Sequence, residues 1–452
     1  MHERARRLNS APLRTGAAYV LYWCQMNRRA DFNQALDFAV ELANQLHLPV
    51  LFYEGLTYGY PYASDRFHRF ILEGVPDTSR RLAARGIGYI FYLRRGPSDP
   101  NDVLYRLAAR AAAVVTDDYP TFIAARHNAS VAPKVDVAFY AVDASCIVPM
   151  ASFEKREYAA YTIRPKIHKR LPDCLWPLPP VKVRKRFPPR VWEFHTPVSP
   201  ANIGSLIASC RIDHSVPPAA SIAGGRHAAR MRLAHFLKHG LARYAAESNE
   251  PSAHATSGVS PYLHFGQISA LEVALAARSS PEFLEQLIVR RELAFNFARF
   301  VPGPYSLEVL PDWARETMRR HRRDRRHPAY SPDQFERAAT HDALWNATQQ
   351  ELLVRGTVHG YYRMYWGKKI IEWSPTYEDA LRTMIHLHDR YALDGRDPNT
   401  YANILWCFGL HDRPWPERPV FGTLRSMTLE GMRRKTGVDG YIREVTSALP
   451  HR

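Results

Sequence analysis

The apolar pattern of this 452-residue chain changes once, near Gly224, and that break limits the folds open to it. Before it, short apolar runs at 18–23, 49–53, 88–92, 113–116 and 135–140 read as buried strands, and the amphipathic stretches 33–46 and 65–85 read as helices between them. Such alternation predicts an α/β domain with a parallel sheet and covering helices. Beyond the break strand signals nearly vanish. Residues 227–247, 270–279, 281–300, 341–355, 360–372 and 377–391 are helical in period, which predicts an all-helical second half. The text from Arg170 to Pro218 is Pro-rich and basic, as in Trp176-Pro-Leu-Pro-Pro180, and reads as an extended connection. The expected division is a mobile basic arm at 1–16, an α/β domain at 17–170, a linker at 171–223 and a helical domain at 224–452. No Gly-rich dinucleotide fingerprint follows the first strand.

A chain of this length buries sizeable cores. It has no run of 18 or more apolar residues, so a membrane span is not expected, and its start, Met1-His-Glu-Arg-Ala-Arg-Arg, lacks the apolar stretch of a secretory signal. The five cysteines, Cys24, Cys146, Cys174, Cys210 and Cys407, are far apart and form no CxxC pair. That argues against a zinc site or a disulfide framework and for a reducing compartment, with the cytoplasm as the simplest expectation. The net charge of +17 favours polyanionic partners such as nucleic acid. Its densest clusters, at 182–186 and 319–326, read equally well as phosphate contacts or as a solvated Arg-rich surface.

Two local features suggest chemistry. Trp366 and Trp373 stand seven residues apart, two helical turns, so their rings share one face about 10 Å apart along the axis. With Trp345 they form either an aromatic core stripe or a path for an electron. The polar turn Thr256-Ser-Gly-Val-Ser260 precedes a helical stretch, where free backbone N–H groups and the helix dipole suit a phosphate.

The surrounding text resembles the class II DNA photolyases, which are light-driven flavoproteins. The similarity runs through Ser257-Gly-Val-Ser-Pro-Tyr-Leu-His-Phe-Gly-Gln-Ile-Ser269, Leu287-Ile-Val-Arg-Arg-Glu-Leu293, Thr340-His-Asp-Ala-Leu-Trp-Asn-Ala347, Arg363-Met-Tyr-Trp366, Leu393-Asp-Gly-Arg-Asp-Pro-Asn399 and Leu410-His-Asp-Arg-Pro-Trp415. Looser matches lie at 20–23, 115–118 and 157–166. Together they cover most of the chain in the family's order.

The resemblance implies a Rossmann-like first domain that can carry an antenna chromophore, a deazaflavin or a folate, and a helical domain that binds FAD. It implies cofactor contacts from Tyr244, Thr256, Ser257, Gly258, Val259 and Ser260, from the ion pair Arg363–Asp394 that brackets the flavin ring, and from His388. It implies an electron relay with Trp366 nearest the flavin, Trp345 toward the surface and Trp373 as a branch; Tyr330 also matches a family tyrosine. The substrate would be double-stranded DNA carrying cyclobutane pyrimidine dimers, met by Gln286, Arg290, Met364, Trp406, Trp415 and Arg425. No metal, membrane or obligate protein partner is implied.

The same comparison exposes departures. Class II enzymes usually have Glu at Gln286, where the acid hydrogen-bonds the damaged bases; Gln keeps a donor and an acceptor but gives up no proton. They place Asn at His388, facing flavin N5; an imidazole can donate there but titrates near neutrality. They have Asp at Phe295, and one more residue between Trp406 and His411. All four changes are expected in one pocket. The leading expectation is light-driven dimer splitting by electron transfer from photoexcited reduced flavin. A photoenzyme for another, small substrate and a cryptochrome-like light sensor are the alternatives.

Overall fold

The structure, a computed structural model, describes residues 3–303 and 305–448. Six strands form one sheet: β1 (Ala5–Arg7), β2 (Tyr19–Cys24), β3 (Val50–Thr57), β4 (Gly88–Arg94), β5 (Ala111–Asp117) and β6 (Ala138–Val142). Their spatial order is β1-β6-β5-β2-β3-β4. The neighbours from β2 to β6 pair in parallel, with Val20 opposite Val50 and Leu51 opposite Gly88. Helices cover both faces, which is why these strands read as continuous apolar runs. Along β2, Tyr19, Leu21 and Trp23 enter one core and Val20, Tyr22 and Cys24 the other.

Two expectations are corrected here. The N-terminal arm is not free. Ala5–Arg7 pairs antiparallel with β6, Ala5 opposite Val142, and Arg6 grips Asp118 with two bonds of 2.8 and 2.9 Å. Nor is the Pro-rich stretch 171–223 a detached linker. Thr196 N–H donates to Phe91 O at 2.7 Å, Leu93 N–H to Thr196 Oγ1 at 3.1 Å, and Phe91 N–H to His195 Nδ1 at 3.2 Å. These bonds cap β4, the edge strand that would otherwise present unpaired backbone groups.

The second half is helical, as expected. Four helices matter most for the site: Ala343–Arg355, Gly360–Trp373, Tyr377–Tyr391 and Pro398–Cys407. The stretch expected as one helix over 281–300 carries a π-turn at Glu285–Arg290 between α-helical Pro281–Leu284 and Arg291–Phe300. One extra residue per turn there rotates the side chains that follow, a device common at functional sites.

Buried polar contacts lock the halves together. Glu292 accepts from the N–H of Ile147 at 2.6 Å and of Val148 at 3.3 Å. Arg66 donates to the carbonyls of Pro217, Leu352 and Tyr391. Gly266, at φ +65°, lies so close to the Met26 carbonyl that no Cβ fits, so only glycine allows this approach. Tyr119 of the first half donates to Asp397 of the second at 2.6 Å.

Candidate flavin and substrate site

One helix, Gly360–Trp373, presents three sets of side chains in three directions. The first set begins with Arg363. Its Nη2 donates to Asp394 Oδ2 at 3.1 Å, and Ser260 Oγ donates to the same oxygen at 2.8 Å. Burial alone would raise the Asp394 carboxyl, but the Arg363 guanidinium and the Ser260 hydroxyl outweigh it and hold the carboxyl below its ordinary range. His388 stands beside both. It is 3% exposed, and burial with the Arg363 charge pushes it down to about 3. The expected titration near neutrality is therefore corrected: this imidazole stays uncharged at physiological pH.

Several buried polar atoms here have no protein partner: Arg363 Nε, His388 Nδ1 and His359 Nε2. Buried polar groups are normally satisfied, so a cluster of orphans marks a place where a polar ligand supplies the partners. The turn 256–260 shows the same deficit. Among the described residues, no protein acceptor takes the N–H groups of Thr256, Ser257, Gly258 or Val259. The helix it opens, Ser260–His264, is a single turn, so its dipole adds little. Charge comes instead from Arg232, a residue absent from the sequence expectation. Its Nε would lie 2.5 Å from a Cβ on Gly258, whose φ of +61° also demands glycine. Tyr244 packs edge-on against Phe236 and Phe283, and its neighbour Arg243 holds the Ala253 carbonyl at 3.2 Å, which ties that segment to the turn. Pyrophosphate at the turn and a flavin ring at Arg363, His388 and Asp394 fit these free groups.

The second set is aromatic. Trp366 stacks on Trp345 at 6.4 Å with an interplanar angle of 4°, and Trp345 meets Trp373 edge-on at 6.3 Å. Trp345 is fully buried, Trp366 is 2% exposed and Trp373 3%. The expected order is thus corrected. Trp345 does not lead to the surface, and Trp373 is no branch. Trp345, from the neighbouring helix, bridges two rings that share a helix face. Trp366 Nε1 donates to Gln349 Oε1 at 2.9 Å and Trp345 Nε1 to the Trp366 carbonyl at 3.0 Å, which fixes both planes. Gln349 follows Trp345 by one helical turn, a spacing that could have revealed it.

The third set faces the opposite wall. Lys368 is fully buried, donates to Cys407 O at 2.6 Å and lies 5.1 Å from the Trp406 ring. Arg425 spans Trp406 and Trp415 at 5.5 and 4.9 Å, and Arg413 covers Trp415 at 4.7 Å. Met364, half-buried, sits one turn before Lys368. This ladder of cations and indoles is an anion-attracting aromatic surface. Lys368, pushed down to about 8 by burial, is a member that sequence reasoning missed.

Gln286 and Arg290 are both exposed on the π-turn. Arg290 pairs with Glu285 at 3.3 Å, and among the described residues the Gln286 side chain makes no hydrogen bond. Phe295 is a clear correction. It is fully buried in the seam between the halves, edge-on to Tyr119 at 5.5 Å, with Arg291 4.5 Å over its ring and Cys146 and Met150 around it. The four departures do not share one pocket. The shortened segment after Trp406 closes tightly: Gly409 N–H donates to Trp406 O at 3.0 Å and Leu410 N–H to Leu405 O at 3.1 Å.

A separate cavity of about 340 Å³ opens at the carboxyl ends of β2, β3 and β4. It lies where the strand order reverses on either side of β2, the usual ligand position in such sheets. Trp23, stacked on His127 at 5.8 Å, lines it from the first half and Phe265 and Arg396 from the second. The described residues contain no cluster suited to a metal ion and no helix long and apolar enough to cross a membrane.

Comparison with known proteins agrees with this geometry. Residues 20–185 match the family model described as DNA photolyase. The chain is 38% identical to the deoxyribodipyrimidine photo-lyase of Methanothermobacter thermautotrophicus, over 99% of both chains. Its fold matches a bacterial class III photolyase from Agrobacterium tumefaciens, with a TM-score of 0.70 at 17% identity over 96% of this chain and 87% of that one. It also matches an archaeal photolyase from Sulfolobus tokodaii solved with two FAD molecules, with a TM-score of 0.65 at 16% identity over 94% and 89%. With a full-length relative at that identity and the same two-part fold, the chain belongs to the photolyase/cryptochrome family.

Proposed function

We propose that the protein is a class II photolyase that binds FAD and, in light, splits cyclobutane pyrimidine dimers in double-stranded DNA. The observation that carries this reading is the convergence on helix Gly360–Trp373 of a polar cradle with orphaned atoms, a tryptophan chain and a cation–indole wall. The relative matched over its full length is a deoxyribodipyrimidine photo-lyase, which supports the same substrate here.

FAD, when bound and fully reduced, supplies a light-driven one-electron donor. The chain's own residues then divide the work. Arg363 offers its unpaired Nε and a positive charge to an anionic ring, while Asp394 holds the guanidinium in place. His388, uncharged, offers one ring N–H to the isoalloxazine edge without adding a charge. The free N–H groups of 256–259 and Arg232 take the phosphates. Trp406 and Trp415 stack on the extruded bases, steered by Arg425, with Met364 beside them. Gln286 and Arg290 meet the bases and their backbone from the exposed π-turn. The cavity beside Trp23 suits a planar antenna, a deazaflavin or a folate.

Dimer-containing oligonucleotide incubated with reduced protein should return monomeric pyrimidines in blue light and none in the dark. Absence of light-dependent conversion would leave the second reading, a photoenzyme for another substrate. Gln286 and His388 are the observations that favour it, since both change the hydrogen-bonding chemistry next to flavin or substrate.

A further inference from the structure

Lys368 carries a positive charge into the core with little to compensate it. The residue is fully buried, and its Nζ donates to the Cys407 carbonyl at 2.6 Å. That carbonyl ends the helix Pro398–Cys407, where the macrodipole favours a cation. Among the described residues Lys368 forms no ion pair, whereas Lys369 beside it is paired with Glu372 at 2.6 Å. A neutral donor would hold the carbonyl at less desolvation cost, so the charge calls for another reason. Trp406 supplies one. The ammonium lies 5.1 Å from the centre of that ring, and the Arg425 guanidinium 5.5 Å from it. Arg425 is half-exposed, so water screens much of its effect; Lys368 is not. Lys368 follows Trp366 by two residues on the helix Gly360–Trp373, so the two side chains point roughly opposite ways. Among the described residues no lysine or arginine covers the Trp366 or Trp345 ring.

We propose that Lys368 protects Trp406 from oxidation and so reserves electron donation to a photoexcited flavin for Trp366. The proposal rests on the reading that a flavin binds beside Arg363, because that flavin, when oxidised and excited, is the oxidant that gains the electron. An indole that gives up one electron becomes a radical cation. At Trp366 the new charge meets no fixed cation over the ring and can pass to the stacked Trp345. At Trp406 it would arise 5.1 Å from an ammonium and 5.5 Å from a guanidinium, and like charges at that range repel strongly where water is scarce. The same ring is the stacking surface for extruded bases, and an oxidised indole would no longer serve.

The charge can be removed without a substitution. Burial pushes Lys368 down to about 8. The other titratable or charged groups that face it are Cys407, Asp412 and Arg425. Burial pushes the Cys407 thiol up to about 11, and aspartate and arginine side chains titrate far from pH 8. A lysine with a lowered folded value is charged below that value and neutral above it. Protection of Trp406 is therefore present at pH 7 and falls away toward pH 9.

Chlorine dioxide tests this on the full-length protein without any flavin. It is a neutral one-electron oxidant that becomes chlorite, and the indole radical it leaves is counted as an oxygenated product by peptide mapping. Trp415, half-buried like Trp406 and covered by arginines, is the internal reference. Lys368→Met should raise the Trp406-to-Trp415 oxidation ratio at pH 7 by about tenfold, the order expected of one unit charge at such a range in a partly screened site. The wild-type ratio should rise between pH 7 and 9 on its own, which tests the proposal even where the variant fails to fold. Hydroxyl radicals, which add to an accessible indole without removing an electron, are the control, and their ratio should not change. A wild-type chlorine dioxide ratio that is flat with pH, or a hydroxyl-radical ratio that rises in step with it, overturns the proposal. In the FAD-bound protein, Trp366→Phe removes the first donor, and adding Lys368→Met should bring back a flash-induced indole radical that Trp406→Phe then abolishes. A silent flash experiment beside a charge-dependent chlorine dioxide ratio supports the protective ammonium and removes the flavin reading instead.

Discussion

At the scale of single residues, His388 and Gln286 decide how this site is tuned. His388 carries a folded-state value of about 3, well below an exposed imidazole, because burial and Arg363 both oppose its charge. A depressed histidine is neutral above its folded value, so nothing at this position titrates between about pH 6 and 8. His388 should therefore add no step to the pH profile of flavin photoreduction over that window, and His388→Asn should leave the profile unchanged; a step that disappears in the variant would show a charged imidazole. Gln286 offers only neutral hydrogen bonds to a substrate. Hydrogen bonds from charged or acidic partners are about 1 kcal/mol stronger than neutral ones, which corresponds to roughly a fivefold change. Gln286→Glu should raise the yield of light-driven dimer splitting by about that factor, measured per absorbed photon. Equal yields would show that the π-turn holds residue 286 out of reach of the lesion.

At the scale of elements, the tryptophan path shows what sequence could and could not reveal. The seven-residue spacing of Trp366 and Trp373 fixes their common helix face, and that reading survives. Which ring lies between them depends on how Ala343–Arg355 packs against Gly360–Trp373, and no spacing within one helix encodes that. The linear order changes the expected phenotype. With Trp345 fully buried, it offers no exit of its own. Trp373→Phe should then cut steady photoreduction as deeply as Trp345→Phe, by about tenfold or more, while leaving the first charge separation at Trp366 intact. Flash absorption separates the two steps, and a mild Trp373 phenotype would restore a second exit. Phe295 teaches a related lesson. Motif alignment placed it correctly within Leu293-Ala-Phe-Asn-Phe297, but a helix has several faces, and this one points into the seam beside Tyr119. The five parallel strands were legible because both sheet faces are buried, whereas the three-residue antiparallel β1 was not. The docking of 171–223 on β4 was not, since an irregular strap uses backbone bonds that carry no periodic signature.

At the scale of the whole molecule, the charge of +17 is unevenly committed. Many arginines are tied in ion pairs, but of the arginines in the run 319–326 only Arg319 and Arg320 have carboxylate partners among the described residues, Glu316 and Glu417. Arg322, Arg323 and Arg325 are exposed and, among the described residues, form no ion pair. Their position is not arbitrary. The turn that bears them is fastened to the loop that carries Trp415: His321 bonds Glu417 at 2.7 Å, the Val420 N–H donates to Asp324 at 2.8 Å, and the Thr423 N–H donates to Thr317 at 2.9 Å. Trp415 itself is held by its N–H on the Thr423 carbonyl at 2.8 Å. Free cations fixed to the rim of an aromatic recognition surface suit the phosphates of a duplex flanking an extruded lesion. Each phosphate neutralised on B-form DNA contributes about 0.9 to the slope of log affinity against log salt. Replacing Arg322, Arg323 and Arg325 together by alanine should lower that slope by about 2.7, equally for damaged and undamaged duplex, because backbone contacts carry no sequence or lesion information. Trp406→Ala should do the converse, leaving the slope alone and weakening only the damaged duplex, by about 1–3 kcal/mol for the lost stacking. A triple variant with an unchanged slope would assign the run to solvent and move the DNA track elsewhere on the surface.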